Sequence, residues 1–395
     1  MATTFPNGTI AASSPASIGG HQVHVNSKRN NQAGYSVIEM MIAATVMLIL
    51  TGAVVSLMKN SIMVSTTAYE LTDAQESLRA AQEYINRDLM NAGDGLKSIN
   101  YLPVNTTFVM NYLTTAPVVD SSAPSNATIL GILTTHNNVA SGFTVPAPPP
   151  PPSASPMPTP SPIPVLAGTD RQTILEIDPD LATNPQLTPT SITFNTAGDP
   201  IVQLPTATTT ATMNRFAVGD IYFITSMRGG TFGAVTLVDA SAKKIRFESG
   251  DYCGLNTSGA NNRIKDISSN GTIPTTLQRM RIIHYFVDGN RILRLRVFGE
   301  RGAPFKDTII AEHVLGVQFV YSLGLDSGGN PVQPTSVITT PVQQVNISQV
   351  EVTVTVETPH ATVQALKPML STTTATSLRN MQFRQALQPK PSPTP

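Results

Sequence analysis

The spacing of apolar and polar residues changes rhythm along this chain. From Met40 to Met58 no residue is charged and most are apolar. At about 1.5 Å per residue such a run spans roughly 28 Å, close to the thickness of a bilayer core. It is longer than the apolar part of a usual signal peptide and no A-x-A site closes it, so the pattern predicts a retained membrane helix. Further on, Leu71, Ala74, Leu78, Ala81, Ile85, Leu89 and Ala92 recur at steps of three and four, one face of an amphipathic helix. Glu83 and Arg87 stand i,i+4 on its polar side, a pairing worth tenths of a kcal/mol. The glycines of Asn91-Ala92-Gly93-Asp94-Gly95 then stop it. No proline interrupts Tyr35 to Ala92, and Gly52 is the one weak point. The two patterns therefore read as one helix over 35–93, roughly 85–90 Å long. Its first half, about 40–58, is expected to cross a membrane and its second half to pack on a soluble domain.

A two-residue rhythm follows. Strands are predicted at 219–226, 233–239 and 243–249, where residues alternate or are β-branched. "MRIIHYFV" and "RILRLRVF" flank Asp288-Gly289-Asn290, a hairpin signal. Val350, Val352, Val354 and Val356 alternate with Glu351, Thr353, Thr355 and Glu357, a strand buried on one face and wet on the other. A long helix followed by antiparallel strands is an α+β layout. Residues 145–164 contain eleven prolines and read as a polyproline-type insertion rather than a core element. The tail 389–395 is expected to be disordered, and the Asn-, Ser- and Gly-rich stretch 254–275 to form a surface loop.

Charge and composition narrow the function. The formal net charge is +0 and 13% of residues are charged, so no overall basic field argues for nucleic acid. Cys253 is the single cysteine, which excludes an intramolecular disulfide and reads as a tolerated thiol. The histidines at 136, 284, 313 and 360 show no metal-ligand spacing, and His21 and His24 precede the membrane run. "DSGGN" at 326–330 lacks the ligand count of a calcium loop and reads as a polar turn. Nothing resembles a P-loop or a nucleophile elbow. The expectation is a chain with no catalytic residue, cofactor or metal. Lys28 and Arg29 before the apolar run, with no acid in residues 1–34, face Lys59, Glu70, Asp73 and Glu76 beyond it. The positive-inside rule puts the N-terminus in the cytoplasm and the rest outside.

Glu39 places a carboxylate at the edge of the apolar run, five residues after Gly34. A carboxylate there is costly, up to roughly 3 kcal/mol at mid-bilayer and less near an end, unless it meets a cation. Gly34, Tyr35, Ser36-Val37-Ile38, Glu39 and the apolar run from Met40 resemble the start of the type IV pilin family, the class III signal proteins. "QESLRAAQEYINRDLMNAGDGL", "LQRMRIIHYFVDGNRILRLRVF", "IIAEHVLGVQFVYSLG", "ISQVEVTVTVET" and "SLRNMQF" are similar, in that order, to blocks of PilW-type minor pilins and of J-type minor pseudopilins of type II secretion. The leader of 34 residues is longer than many, and Tyr35 stands where Phe is commonest.

The resemblance implies a pilin fold: the long helix packed on an antiparallel sheet. It implies that prepilin peptidase removes residues 1–34 by cutting between Gly34 and Tyr35, and that Tyr35 is then N-methylated. It implies that Glu39 pairs with the N-terminal amine of a neighbouring subunit. Lacking a side chain, Gly34 lets the peptide lie extended in a protease cleft. The globular pilin domain would be 94–388. The implied partners are prepilin peptidase, other minor pilins, the major pilin, the inner-membrane assembly platform and, before assembly, membrane lipid. The implied location is the bacterial inner membrane, single-pass, then the pulled-out filament at the periplasm or cell surface. A minor pilin of a pilus-initiating or tip complex is the first reading. A J-like pseudopilin is the second. An anchored extracytoplasmic adhesin or enzyme, with a fortuitous Gly34–Glu39 spacing, is the third.

Overall fold

The computed structural model describes residues 35–93, 96, 101–105, 108–109, 118–119, 128–146, 162–178, 187–251, 254–256, 262–299, 305–325, 329–338, 343, 346–358 and 367–378. The leader 1–34 with Gly34, Cys253, His360, most of the proline-rich insertion and the tail 389–395 lie outside them. The chain divides into two compact units, Met1–Ile62 and Met63–Pro395.

In the first unit the described residues are the start of a continuous helix, α1 (Val37–Asn91). Its apolar side chains are solvent-facing, and this stretch is long and apolar enough to cross a membrane. Thr45 and Thr51 return their hydroxyls to the carbonyls of Met41 and Met47, at 2.8 and 2.7 Å. Satisfied within their own helix, these polar groups leave an outer surface compatible with hydrocarbon.

The second unit holds the rest of α1 and antiparallel β-structure. In chain order its strands are β1 (Tyr101–Val104), β2 (Val118–Val119), β3 (Thr128–Gly131), β4 (Leu133–His136), β5 (Thr144–Val145), β6 (Ile163–Pro164), β7 (Arg171–Ile177), β8 (Ser191–Phe194), β9 (Pro200–Gln203), β10 (Ile221–Ser226), β11 (Gly229–Ala234), β12 (Leu237–Asp239), β13 (Lys244–Arg246), β14 (Thr276–Val287), β15 (Leu293–Phe298), β16 (Phe305–Ala311), β17 (Val314–Leu323), β18 (Ile347–Glu357) and β19 (Met369–Ser377). The described residues thus show an α+β arrangement. Its strands fall into several sheets, where the sequence reading expected one.

The organiser of the largest sheet is β14. β7 pairs with its second half along one edge; along the other edge β10 pairs with its first half and β15 with its second. The β14–β15 hairpin closes where expected, but its turn takes in Arg291 and Ile292 beyond Asp288-Gly289-Asn290, so β15 begins at Leu293. Asp288 Oδ1 accepts the N–H groups of Asn290 and Ile292, and Arg291 takes a left-handed φ of 63°. β18 lies between β17 and β19, with Val350, Val352, Val354 and Val356 fully buried and Glu351, Thr353 and Thr355 on the wetter side, as the alternation predicts; Glu357, expected on that wet side, is buried and pairs with Arg291.

The stripe on α1 packs as predicted from Ala74 to Ala92; Leu71 lies at its half-buried margin. Ala74, Leu78, Ala81, Ile85 and Leu89 join the main core with β7, β14, β15, β17 and β18 residues. Burying one Leu or Ile side chain contributes about 1.5–3 kcal/mol, so this face dominates helix docking. Past the helix Gly93 takes φ 72° and donates its N–H to Leu175 at 2.8 Å. A Cβ at Gly93 would meet Ile132 at 3.0 Å, so both backbone and space favour glycine here.

Two expectations are corrected. Residues 254–275 are not only a surface loop: the short helix Arg263–Ser268 buries Ile264 and Ile267 in a second core. That core also takes Tyr222 and Ile224 of β10, while Ile221 and Phe223 of the same strand face the main core. Because it is apolar on both faces, β10 shows no clean alternation. Second, Arg87 turns to Asp88 at 2.9 Å and lies over the Tyr84 ring, instead of pairing with Glu83. Around the proline-rich insertion, Thr144 and Val145 pair with Pro164 and Ile163. The chain leaves and returns at one small ladder, so the insertion is an excursion from one unit, not a linker between two.

Candidate assembly site at the start of the long helix

Gly34 lies outside the described residues. Tyr35 is 84% exposed and precedes the first helical residue, Val37. Ser36 is the cap. Its Oγ accepts the Ile38 N–H at 3.3 Å, and Glu39 Oε2 accepts the Ser36 N–H at 3.1 Å. This is a variant of the capping box on Ser36-x-x-Glu39, in which the hydroxyl takes the N–H of the second helical residue and not the third, and it satisfies two of the N–H groups that a helix start leaves without partners. The sequence reading missed it, although S-x-x-E ahead of an apolar run is its signature.

The box changes what Glu39 can do. The carboxylate is folded back toward the helix N-terminus, where the helix dipole favours negative charge. The local bond uses Oε2; a carboxylate offers two oxygens, so Oε1 remains for a second donor. An ammonium group arriving at the helix start would meet an oriented anion. Tyr35 and Glu39 are thus brought to one place, at the exposed end of the helix.

Two of the histidines are held by hydrogen bonds within the β-structure. His136 Nδ1 meets Arg171 Nη2 at 2.6 Å; the Arg171 guanidinium lies over the Phe143 ring, which His136 meets edge to face. His284, buried on β14, bonds Thr173 Oγ1 at 2.9 Å. Burial, then the nearby charges of Arg171 and Arg296, hold its pKa well below the ordinary value, so it is neutral. Burial likewise lowers the Arg171 pKa to about 9. The fold therefore gathers two histidines that the sequence scatters, around an arginine that lies over the Phe143 ring. His313 occupies the β16–β17 turn with φ 58°. Among the described residues no group of three or more His, Cys, Asp or Glu is placed to hold a metal.

A buried polar band that the sequence reading did not foresee lies where α1 meets the sheet. Asp88 is buried on the helix stripe and accepts the Tyr285 hydroxyl at 2.6 Å. Its place was readable: Asp88 stands three residues after Ile85 and four before Ala92.

Residues 29–55 match the family described as the prokaryotic N-terminal methylation motif. The match supports a type IV pilin-like protein, pilin or pseudopilin, and it spans Glu39 and the exposed apolar helix just described. No curated protein and no solved structure matches the chain. The motif implies processing by a prepilin peptidase and assembly with pilus components. Together with the apolar helix it fits a membrane-anchored, single-pass protein.

Proposed function

We propose that this chain is a minor pilin, a structural subunit that helps initiate a type IV pilus or build its tip, with a pilin fold and no catalytic role. The observation that carries the reading is the methylation motif laid over a capped, outward-facing apolar helix whose continuation is clamped to a sheet. Prepilin peptidase cuts between Gly34 and Tyr35 on the cytoplasmic side, and the exposed amine of Tyr35 is methylated. The helix is held in the inner membrane by lipid, with the soluble unit on the far side. On assembly it moves into the filament core beside other minor pilins and the major pilin, on an inner-membrane platform. Glu39, oriented by Ser36, pairs with the N-terminal amine of the neighbour and sets axial register, which apolar side chains alone cannot do. The PilW-like blocks and the proline-rich excursion suit a subunit present in few copies.

N-terminal sequencing of the membrane form tests the processing step: a mature chain that begins at Tyr35 is expected, and any other start overturns the reading. Glu39→Ala should leave cleavage intact and impair assembly; normal piliation by this variant would remove the pairing role. Gene neighbourhood separates a pilus subunit, beside a retraction ATPase, from a J-like pseudopilin, beside type II secretion genes.

A further inference from the structure

The buried band under α1 is ionic. Along β14, Leu277 belongs to the second core, and Ile283 and Tyr285 to the main core. Strand geometry puts Arg279 and Arg281 on the same face between them, at the seam of the two cores. Arg279 bridges Asp178 and Asp220, each at 3.2 Å, and donates to the Gly299 carbonyl at 3.1 Å. Arg281 stands directly opposite Glu176 on β7 and pairs with its Oε1. From the helix, Asp88 receives the Tyr285 hydroxyl and the Arg87 guanidinium. Among the described residues the band sets Arg87, Arg279 and Arg281 against Asp88, Glu176, Asp178 and Asp220. Within it Glu176 Oε2 is buried with no hydrogen-bond partner. Glu176 faces Arg281 from β14 and Asp88 and Arg87 from α1.

We propose that Glu176 is a proton-operated latch for the second half of α1: protonated, it lets the helix seat on the sheet; ionised, it loosens that contact. A proton on Oε2 removes a like-charge repulsion against Asp88 and turns an orphaned acceptor into a donor. Loss of that proton leaves two carboxylates inside a water-poor seam. Burial, with Asp88 adding to it and Arg281 opposing it, pushes the Glu176 carboxyl up to about 6. The sign follows from linkage. A carboxyl whose folded pKa is raised binds its proton more tightly when folded. The stability it adds is therefore complete below about 4.5, the ordinary carboxyl range, and is lost as pH rises through about 6. The latch belongs to the Met63–Pro395 unit and does not depend on what the chain assembles into.

Hydrogen exchange of the backbone amides from Leu78 to Leu89, in the full chain in detergent micelles and corrected for intrinsic rates, tests it. Protection should fall by about 15-fold between pH 4.5 and 7 in the wild type. Glu176→Gln, which keeps the shape and cannot ionise, should show no such fall. Asp88→Asn should move the midpoint to lower pH by removing the neighbouring charge. A flat wild-type profile, a wild-type profile in Glu176→Gln, or an unmoved midpoint in Asp88→Asn would each overturn the latch.

Discussion

The two halves of α1 are one helix with opposite environments. The first half is the more apolar, yet its side chains face outward: Leu48 is 76% exposed. The second half carries Asn, Gln, Arg and Asp among its residues, yet Ile85 and Leu89 are fully buried. Burial thus does not track hydrophobicity along this helix; it tracks whether a partner surface exists. A narrow stripe meets a sheet and is satisfied within the chain. An apolar surface all round the helix requires a different solvent, either lipid or other helices. The polar half also anchors by hydrogen bonds: Asn86 Oδ1 accepts from Thr376 at 2.7 Å, and Gln82 donates to the Thr372 carbonyl at 3.2 Å.

The contrast is sharpened most by paired truncations. Ile85→Ala should lower the unfolding free energy of the soluble unit by about 3 kcal/mol. Leu48→Ala should change it by less than about 0.5 kcal/mol. Urea denaturation of the full chain in detergent micelles measures both, and similar losses would erase the distinction between the halves. Gly93→Ala probes the end of the buried half. The left-handed φ and the close Ile132 contact predict a loss of about 1–2 kcal/mol in the same denaturation series. Ser36→Ala probes the start of the exposed half. Losing the cap should cost about 1 kcal/mol, seen as faster amide exchange in the first helical turn with the soluble unit unchanged. Slower exchange there would show that Ser36 does not hold the helix start.

How much could be read in advance depends on the range of the interaction. The β14–β15 hairpin and the alternation of β18 were readable because local turn chemistry and a period of two carry them. The stripe from Ala74 to Ala92 was readable for the same reason, with a period of 3.6. The capping box was also local, and the Ser36-x-x-Glu39 spacing would have revealed it. β10 was harder: its two faces serve two cores, and a run apolar on both sides has no period to find. The helix Arg263–Ser268 sits in a stretch whose Asn, Ser and Gly content signals a loop, and only Ile264 and Ile267 bind it to the second core. Arg281 and Glu176 are separated by many residues in sequence and meet only because β7 and β14 pair in that register.

Local spacing along the chain is enough to place the helix and its two faces, the methylation motif at its start, the hairpin and the antiparallel class. These rest on neighbours three, four or two residues apart, whose geometry follows from the helix and strand repeats. Tertiary pairing set the division into separate cores, the small ladder at the base of the proline-rich insertion and the ionic band of Asp88, Glu176 and three arginines. Those depend on which distant strands pair, and on charges whose proton affinity is set by burial rather than by residue type.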